Sequence, residues 1–387
     1  DELPVLPEGR IGIYVGSHTH FSEKQNRAID RFCATYDAVV ICDHTSGYYG
    51  KYKLLPTLVQ LQSDITSPFP PLDLMVHIGE ISAASFNDTI PAKEVWRVSE
   101  DGELRDPFKK LTTVFQMSEE MFFLHYGKDG CNRHVLIDEC RELFGEIYEQ
   151  IPELPFCNIW TAMQLSSRLP KGALFHMGVS NTRRCWNMFQ LPESVESACN
   201  VGCCGIDGCV STLVGASLVN PDRLCYVVVG DLTFFYDLNS LGNHHIGTNL
   251  RVMLVNNGRG TEFRMGIHHC NVFGDDADKY MAAAGHFGNK SPLLVKHYAE
   301  DLGFHYLSAT TKEEFMTALS NFTNPQLSDH SMILEVFTDS KDESEALYLM
   351  SHIQSDAKGM VRSKLKDAVR NVAGEKGINA IKKILKK

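Results

Sequence analysis

Short apolar runs separated by amphipathic stretches recur along the whole chain. In the first part IGIYV (11–15), AVVIC (38–42), LDLMVHIG (72–79), EVWRVS (94–99) and TTVFQM (112–117) predict strands. EKQNRAIDRFCATY (23–36) places its apolar residues at helical spacing, and residues 133–150 also predict a helix. DGELRDP and DPFKK read as turns. The strand runs are continuous rather than alternating, as expected for strands of a parallel sheet covered on both faces.

A second block repeats the alternation. ALFHM (173–177), LCYVVVG (224–230), RVMLVN (251–256) and SMILEVF (331–337) predict strands, with helices at VSTLVGASLV (210–219) and KEEFMTALSNF (312–322) between them. The Pro-rich IPELP (151–155) is a candidate linker. The expected fold class is α/β, with two doubly wound parallel-sheet domains and a basic helical C-terminal tail. The expected boundaries are 1–150, 151–340 and 341–387. Ligands belong at the carboxyl ends of such strands.

Charge changes the picture at one end. Residues 357–387 carry ten Lys or Arg against two acids, a local +8 inside a chain of −11, which leaves −19 for the rest. An acidic body argues against a nucleic-acid partner. The tail reads as a solvated helical end, or as a membrane-surface helix with Ile378, Ile381 and Leu385 on its apolar face. No apolar run approaches bilayer length, and no secretory leader is visible. Twelve irregularly spaced cysteines do not make a disulfide framework, so a cytoplasmic location is expected. The chain starts at Asp1 without Met, from which an upstream segment is expected to have been removed.

Candidate chemistry sits at two strand ends. VVVG (227–230) is followed at once by Asp231, and RVMLV (251–255) by Asn256 and Asn257. The 26 residues from Asp231 to Asn257 are enough for a strand, a crossover helix and a parallel neighbour. A carboxylate, an amide carbonyl and a backbone carbonyl on one sheet edge would suit Mg²⁺, whose octahedron substrate phosphates complete. Gly230, Gly258 and Gly260 would let a ligand approach the backbone. The alternative is that Asp231 caps a helix and the asparagines are turn residues.

GDL (230–232), followed after 23 residues by NN (256–257), resembles the GDG…NN motif of thiamine diphosphate-dependent enzymes. With GCCGIDGCVSTLVGASL (202–218), GDLTFFYDLNSL (230–241), DHTSGY (43–48) and VSEDGELRDP (98–107), the chain is similar to the menaquinone-pathway synthases of that family. These make 2-succinyl-5-enolpyruvyl-6-hydroxy-3-cyclohexene-1-carboxylate. The similarity covers roughly residues 10–340 and is strongest at 200–263.

The resemblance implies thiamine diphosphate and Mg²⁺ as cofactors, with Asp231 and Asn257 binding the metal by side chain and Arg259 by its carbonyl. It implies Ile206 as an apolar support beneath the cofactor, flanked by Asp207 and Gly208, with Gly230, Leu232 and Thr233 near the diphosphate. Ser180, Arg184 and Phe263 match substrate contacts. The implied reaction decarboxylates a 2-oxo acid and passes an acyl anion to an acceptor, using 2-oxoglutarate and isochorismate. The rival readings are a relative acting on another 2-oxo acid and a non-catalytic cofactor-binding or scaffolding subunit.

Two positions depart from the family pattern: Val201 replaces a substrate-binding Arg, and Glu262 a bulky aliphatic residue. Arg183 and Arg259 are the candidate compensating cations. The residues match only the central and diphosphate-binding domains. The pyrimidine-binding domain, with its activating Glu, is expected from a removed segment or another chain. The 387 residues alone are therefore expected to turn over little, and a homo-oligomer is implied.

Other clusters compete. Cys199, Cys203, Cys204 and Cys209 surround GIDG without regular zinc spacing, and read better as small hydrophobes. His18, His20, and His268 and His269 with Cys270, could shuttle protons or simply be polar loops. No GxGxxG or GxxxxGK[ST] phosphate loop occurs.

Overall fold

The computed structural model describes residues 3–62, 69–80, 90–202, 204–264, 270, 272–274, 276 and 291–354. The chain divides into two compact units, Asp1–Ile151 with Asn187–Cys204, and Pro152–Trp186 with Gly205–Lys387.

The first unit contains β1 (Ile11–Val15), α1 (Glu23–Tyr36), β2 (Val39–Ile41), β3 (Lys53–Leu54), α2 (Thr57–Gln60) and β4 (Leu72–Ile78). It continues with β5 (Ala92–Ser99), β6 (Leu111–Gln116), α3 (Glu119–Tyr126) and α4 (Val135–Glu149). Its strands pair in parallel in the order β3-β2-β1-β4-β5-β6. The order reverses between β1 and β4, as doubly wound sheets do. Helix α1 starts where Ser22 and Gln25 form a reciprocal capping box, which satisfies two otherwise orphan amides. It stops at Asp37, whose φ of 54° takes the chain out of the helix. The same Asp37 carboxylate accepts from the Leu136 N–H at 3.2 Å, in the first turn of α4. The segment 187–204 adds a short strand, β8 (Glu196–Cys199).

The second unit runs α5 (Asn158–Leu165), β7 (Leu174–Met177), α6 (Asn181–Trp186), α7 (Cys209–Val219), β9 (Cys225–Gly230), α8 (Asp231–Tyr236) and β10 (Leu250–Asn256). There follow α9 (Leu294–Asp301), β11 (His305–Ala309), α10 (Lys312–Phe322), β12 (Met332–Phe337) and α11 (Ser340–Ser351). Its strands lie in the order β11-β12-β10-β9-β7, and the pairings are parallel. Val227 and Val229 of β9, with Val252 and Leu254 of β10, pack against Val210, Leu213 and Val214 of α7. Each such side chain contributes about 1.5–3 kcal/mol through burial.

The expected α/β class with parallel sheets is what forms. The structure also contains β3, β8, β11, α3, α5, α6 and α9, which the hydrophobic pattern did not predict, and α11 inside the expected tail. Residues 355–387, and with them the expected membrane-surface face, lie outside the described residues. Among the described residues no helix is long and apolar enough to cross a membrane, and no cysteine is in a disulfide.

Glu343 ties α11 to the start of this unit. Its buried Oε1 accepts from the Asn158 N–H at 2.9 Å and the Thr338 hydroxyl at 2.8 Å, while Oε2 has no partner among the described residues. Burial pushes its pKa up from 4.5 to about 7, against these two hydrogen bonds. An acid with a raised folded pKa stabilises the fold below its unfolded value and loses that contribution as pH rises through the folded value. Glu343→Gln keeps the acceptor and removes the titration. We expect denaturant melts of this variant to lack a decline, on the order of 3 kcal/mol, that the wild type shows between about pH 4.5 and 7. Parallel pH profiles of the two proteins would contradict this.

Candidate functional site

The register of β9 and β10 decides the site. Gly230 pairs with Val255, so Asp231 and Asn256 are the next residues out, and Asn257 follows on the same sheet edge. The capping alternative for Asp231 is corrected here: Gly230 is the N-cap of α8, and Asp231 is its first helical residue. Asp231 is nevertheless buried, at 2% exposure. Its Oδ1 accepts from the adjacent Leu232 N–H at 2.8 Å. A Cβ placed on Gly230 would meet no atom of the described residues within 4 Å.

The two asparagines divide their work. Asn256 is buried, and its amide donates to Glu335 Oε1 of β12 at 2.7 Å. The Tyr306 hydroxyl of β11 donates to the other oxygen of Glu335, also at 2.7 Å. Burial raises the Glu335 pKa, these two donors oppose the rise, and the Asp231 charge adds to it. Asn256 therefore braces the sheet edge. Asn257, half-buried in the loop beyond, accepts at 3.4 Å from the Arg259 N–H. Gly258 between them has φ of 80°, a turn that a side chain would strain.

Other predicted residues converge on this edge through topology. Ser180 follows β7, the neighbour of β9, and is exposed with φ of 59°, a conformation uncommon outside glycine. Its carbonyl accepts from the Arg184 N–H at 3.0 Å, opening α6. Ile206 is half-buried and Asp207 exposed in the loop before α7, and Gly208 caps that helix with φ of 77°. Leu232 is half-buried and Thr233 buried in α8. Phe263 falls in a short 3-10 turn, Thr261–Arg264, but its side chain lies outside the described residues. Val201 lies in segment 187–204 of the first unit.

The departure at Glu262 has a physical counterpart. Arg184 forms a bidentate pair with it, Nη1 to Oε2 at 2.9 Å and Nη2 to Oε1 at 2.7 Å. The side chains are 13% and 23% exposed. Burial works against the Arg184 charge, but the Glu262 bonds outweigh it and hold its pKa above the ordinary value. The guanidinium fork is thus filled by a carboxylate of the same chain.

Sequence reasoning missed three supports. Asp237, in the YDLN stretch, accepts from the Ser211 N–H at 2.6 Å and so secures the first turn of α7. Glu335 and Tyr306 brace Asn256. An acid in the middle of the apolar strand MILEVF was the available signal, since a buried carboxyl needs donors.

The donors that the resemblance implies, the Asp231 and Asn257 side chains and the Arg259 carbonyl, would suit Mg²⁺ better than zinc. Among the described residues no group of three or more His, Cys, Asp or Glu could hold a metal ion. Cys203, His268 and His269 lie outside them. One buried carboxylate with an amide and a loop carbonyl leaves coordination positions for phosphate oxygens and water.

No protein-family model matches the chain. Curated relatives do. The chain is 33% identical over 263 residues to the 2-succinyl-5-enolpyruvyl-6-hydroxy-3-cyclohexene-1-carboxylate synthase of Bacteroides fragilis, covering 66% of this chain and 45% of that protein. The Phocaeicola vulgatus synthase of the same name is 32% identical over 264 residues, with 66% and 44% covered. That of Flavobacterium psychrophilum is 30% identical over 248 residues, with 62% and 42% covered. The chain spans about half the length of the curated relatives it matches, and about two thirds of its own residues are similar to the 2-succinyl-5-enolpyruvyl-6-hydroxy-3-cyclohexene-1-carboxylate synthases.

Proposed function

We propose that the second unit binds Mg²⁺ and the diphosphate of thiamine diphosphate, and that the protein decarboxylates a 2-oxo acid and transfers the acyl anion to an acceptor. The observation that carries this reading is the β9–β10 register, which puts Asp231 and Asn257 at neighbouring strand ends. The relatives named 2-succinyl-5-enolpyruvyl-6-hydroxy-3-cyclohexene-1-carboxylate synthase support 2-oxoglutarate and isochorismate as substrates.

In this reading Asp231 and Asn257 bind the metal by side chain and Arg259 by its carbonyl. The Asp231 carboxylate would offset part of the cation's charge and the two neutral oxygens would help orient it, while Glu335 and Tyr306 brace the adjacent Asn256. Gly230, Leu232 and Thr233 offer the phosphates a short side-chain-poor approach. Ile206 holds an apolar surface under the cofactor, with Asp207 and Gly208 beside it. Thiamine diphosphate, when bound, supplies the electron sink for the bond between carboxyl and oxo carbon. The activating carboxylate belongs to a pyrimidine-binding domain supplied in cis or in trans, so the 387 residues alone turn over slowly or not at all.

Calorimetry tests the clamp. Wild type should bind thiamine diphosphate only when Mg²⁺ is present. Asp231→Ala, with an unchanged far-UV spectrum, should bind at least about tenfold more weakly, the loss of roughly 1.4 kcal/mol. If neither protein binds, the cofactor reading fails for this chain.

One observation favours a second reading, a relative acting on another substrate. Glu262 occupies the guanidinium of Arg184, which the resemblance implies as a substrate contact and whose fork would suit a substrate carboxylate. An internal counter-ion discriminates against an anionic group at that point. Glu262→Leu should let the chain bind 2-oxoglutarate, read as a ligand-dependent rise in melting temperature that the wild type lacks. Equal rises in both proteins would remove this reading and leave the isochorismate-using one.

A further inference from the structure

The first unit holds a cavity of about 430 Å³ that the proposed chemistry does not use. Its size is typical of small-molecule sites, roughly 300–1,000 Å³. Its walls come from the β2–β3 region, from α4 and from residues 190–197, all within this unit.

The charge lining it is unusual for this chain. Lys51, Lys53 and Arg141 face the cavity, against one lining acid, Glu193, in a protein of net charge −11. Among the described residues none of the three cations forms an ion pair with a carboxylate. The Arg141 guanidinium donates to the Lys51 carbonyl at 2.7 Å, and the Lys53 ammonium lies 5.2 Å from the centre of the Tyr49 ring. Three cations lining one concavity, against a single lining acid, raise the local potential for an anion.

The lining also has apolar side chains, among them the buried Leu54, next to Lys53 on β3, and the buried Phe144, one helical turn from Arg141 on α4. Gly145 lies inside α4, where glycine costs about 1 kcal/mol relative to alanine. A Cβ there would meet no atom of the described residues within 4 Å, beyond the helix's own backbone, so none of these requires the glycine. What it preserves is the open volume. The walls are also braced: the Tyr148 hydroxyl donates to the Met188 carbonyl, His44 Nε2 lies 2.9 Å from the Phe189 carbonyl, and the Ser197 N–H donates to the Tyr49 hydroxyl at 3.1 Å. The cavity is therefore preformed rather than a gap between loose segments.

We propose that this cavity binds a small organic anion, its carboxylate or phosphate head against Lys51, Lys53 and Arg141 and its apolar body against Leu54 and Phe144. Arg suits a planar two-oxygen head, and the lysines add point charge. Since Lys51 and Arg141 are exposed, the attraction should weaken with added salt.

Calorimetry on the whole chain tests this with four probes: phenyl phosphate, benzoate, inorganic phosphate and neutral benzamide. We expect phenyl phosphate or benzoate to bind, and the tighter of the two identifies the preferred head. Inorganic phosphate and benzamide should bind at least about tenfold more weakly, each lacking one half of the recognition. The double variant Lys51→Ala/Lys53→Ala should lose the anion about tenfold or more while keeping its melting temperature. Gly145→Leu, which keeps every cation and adds a good helix former, should block binding by filling the volume. Failure of both aromatic anions to bind overturns the proposal. So does equal binding of benzamide or inorganic phosphate, or affinity that survives both variants. Thiamine diphosphate binding, which rests on second-unit residues, should be unchanged in these variants, so the two proposals fail separately.

Discussion

The parallel pairing of β9 with β10 is the constraint on which the candidate site depends. With Gly230 opposite Val255, the chain must emerge from two adjacent strands with Asp231 on one and Asn256–Asn257 on the other. That pairing is held by the aliphatic layer of β9, β10 and α7, so burial, not the site itself, provides the stability. Two acids meet at this edge: Asp231 is buried, and its charge acts on Glu335. Two neutral donors, Asn256 and Tyr306, satisfy Glu335. A divalent cation beside Asp231 would lower the electrostatic cost of both acids, which links the bracing to the proposed function.

The same edge shows how little separates a binding residue from a structural one. Arg184 could dock a substrate carboxylate, but its fork is filled by Glu262. A bidentate pair of this kind contributes less to stability than its geometry suggests, because both ions lose hydration. Its larger effect is on what can enter. In the proposed function, substrate choice and cofactor choice would therefore rest on different residues.

Much of the fold was legible because its central strands are continuous apolar runs. IGIYV, LDLMVHIG, LCYVVVG and RVMLVN mark β1, β4, β9 and β10 within a residue or two of their observed ends. The elements missed lack that signal. HYLSA forms β11 at a sheet edge with mostly partial or full exposure, so it shows no apolar run. EEMFFLHY forms α3 with its apolar residues side by side rather than at helical spacing. Lys53–Leu54 is too short to show any period. In the site, Asp231 and Asn257 were legible because each sits just past such a run. The Arg184–Glu262 pair was not, since 78 residues separate its members and only folding joins them. The Tyr306–Glu335–Asn256 brace spans three strands and is invisible to any local pattern.

The clamp can be tested at the metal. Mn²⁺ in place of Mg²⁺, with thiamine diphosphate present, allows pulsed electron paramagnetic resonance to detect phosphorus coupled to the bound ion. The account predicts phosphorus couplings in the wild type that vanish in both Asp231→Ala and Asn257→Ala. Couplings that are absent from the wild type, or that persist unchanged in the two variants, would contradict it.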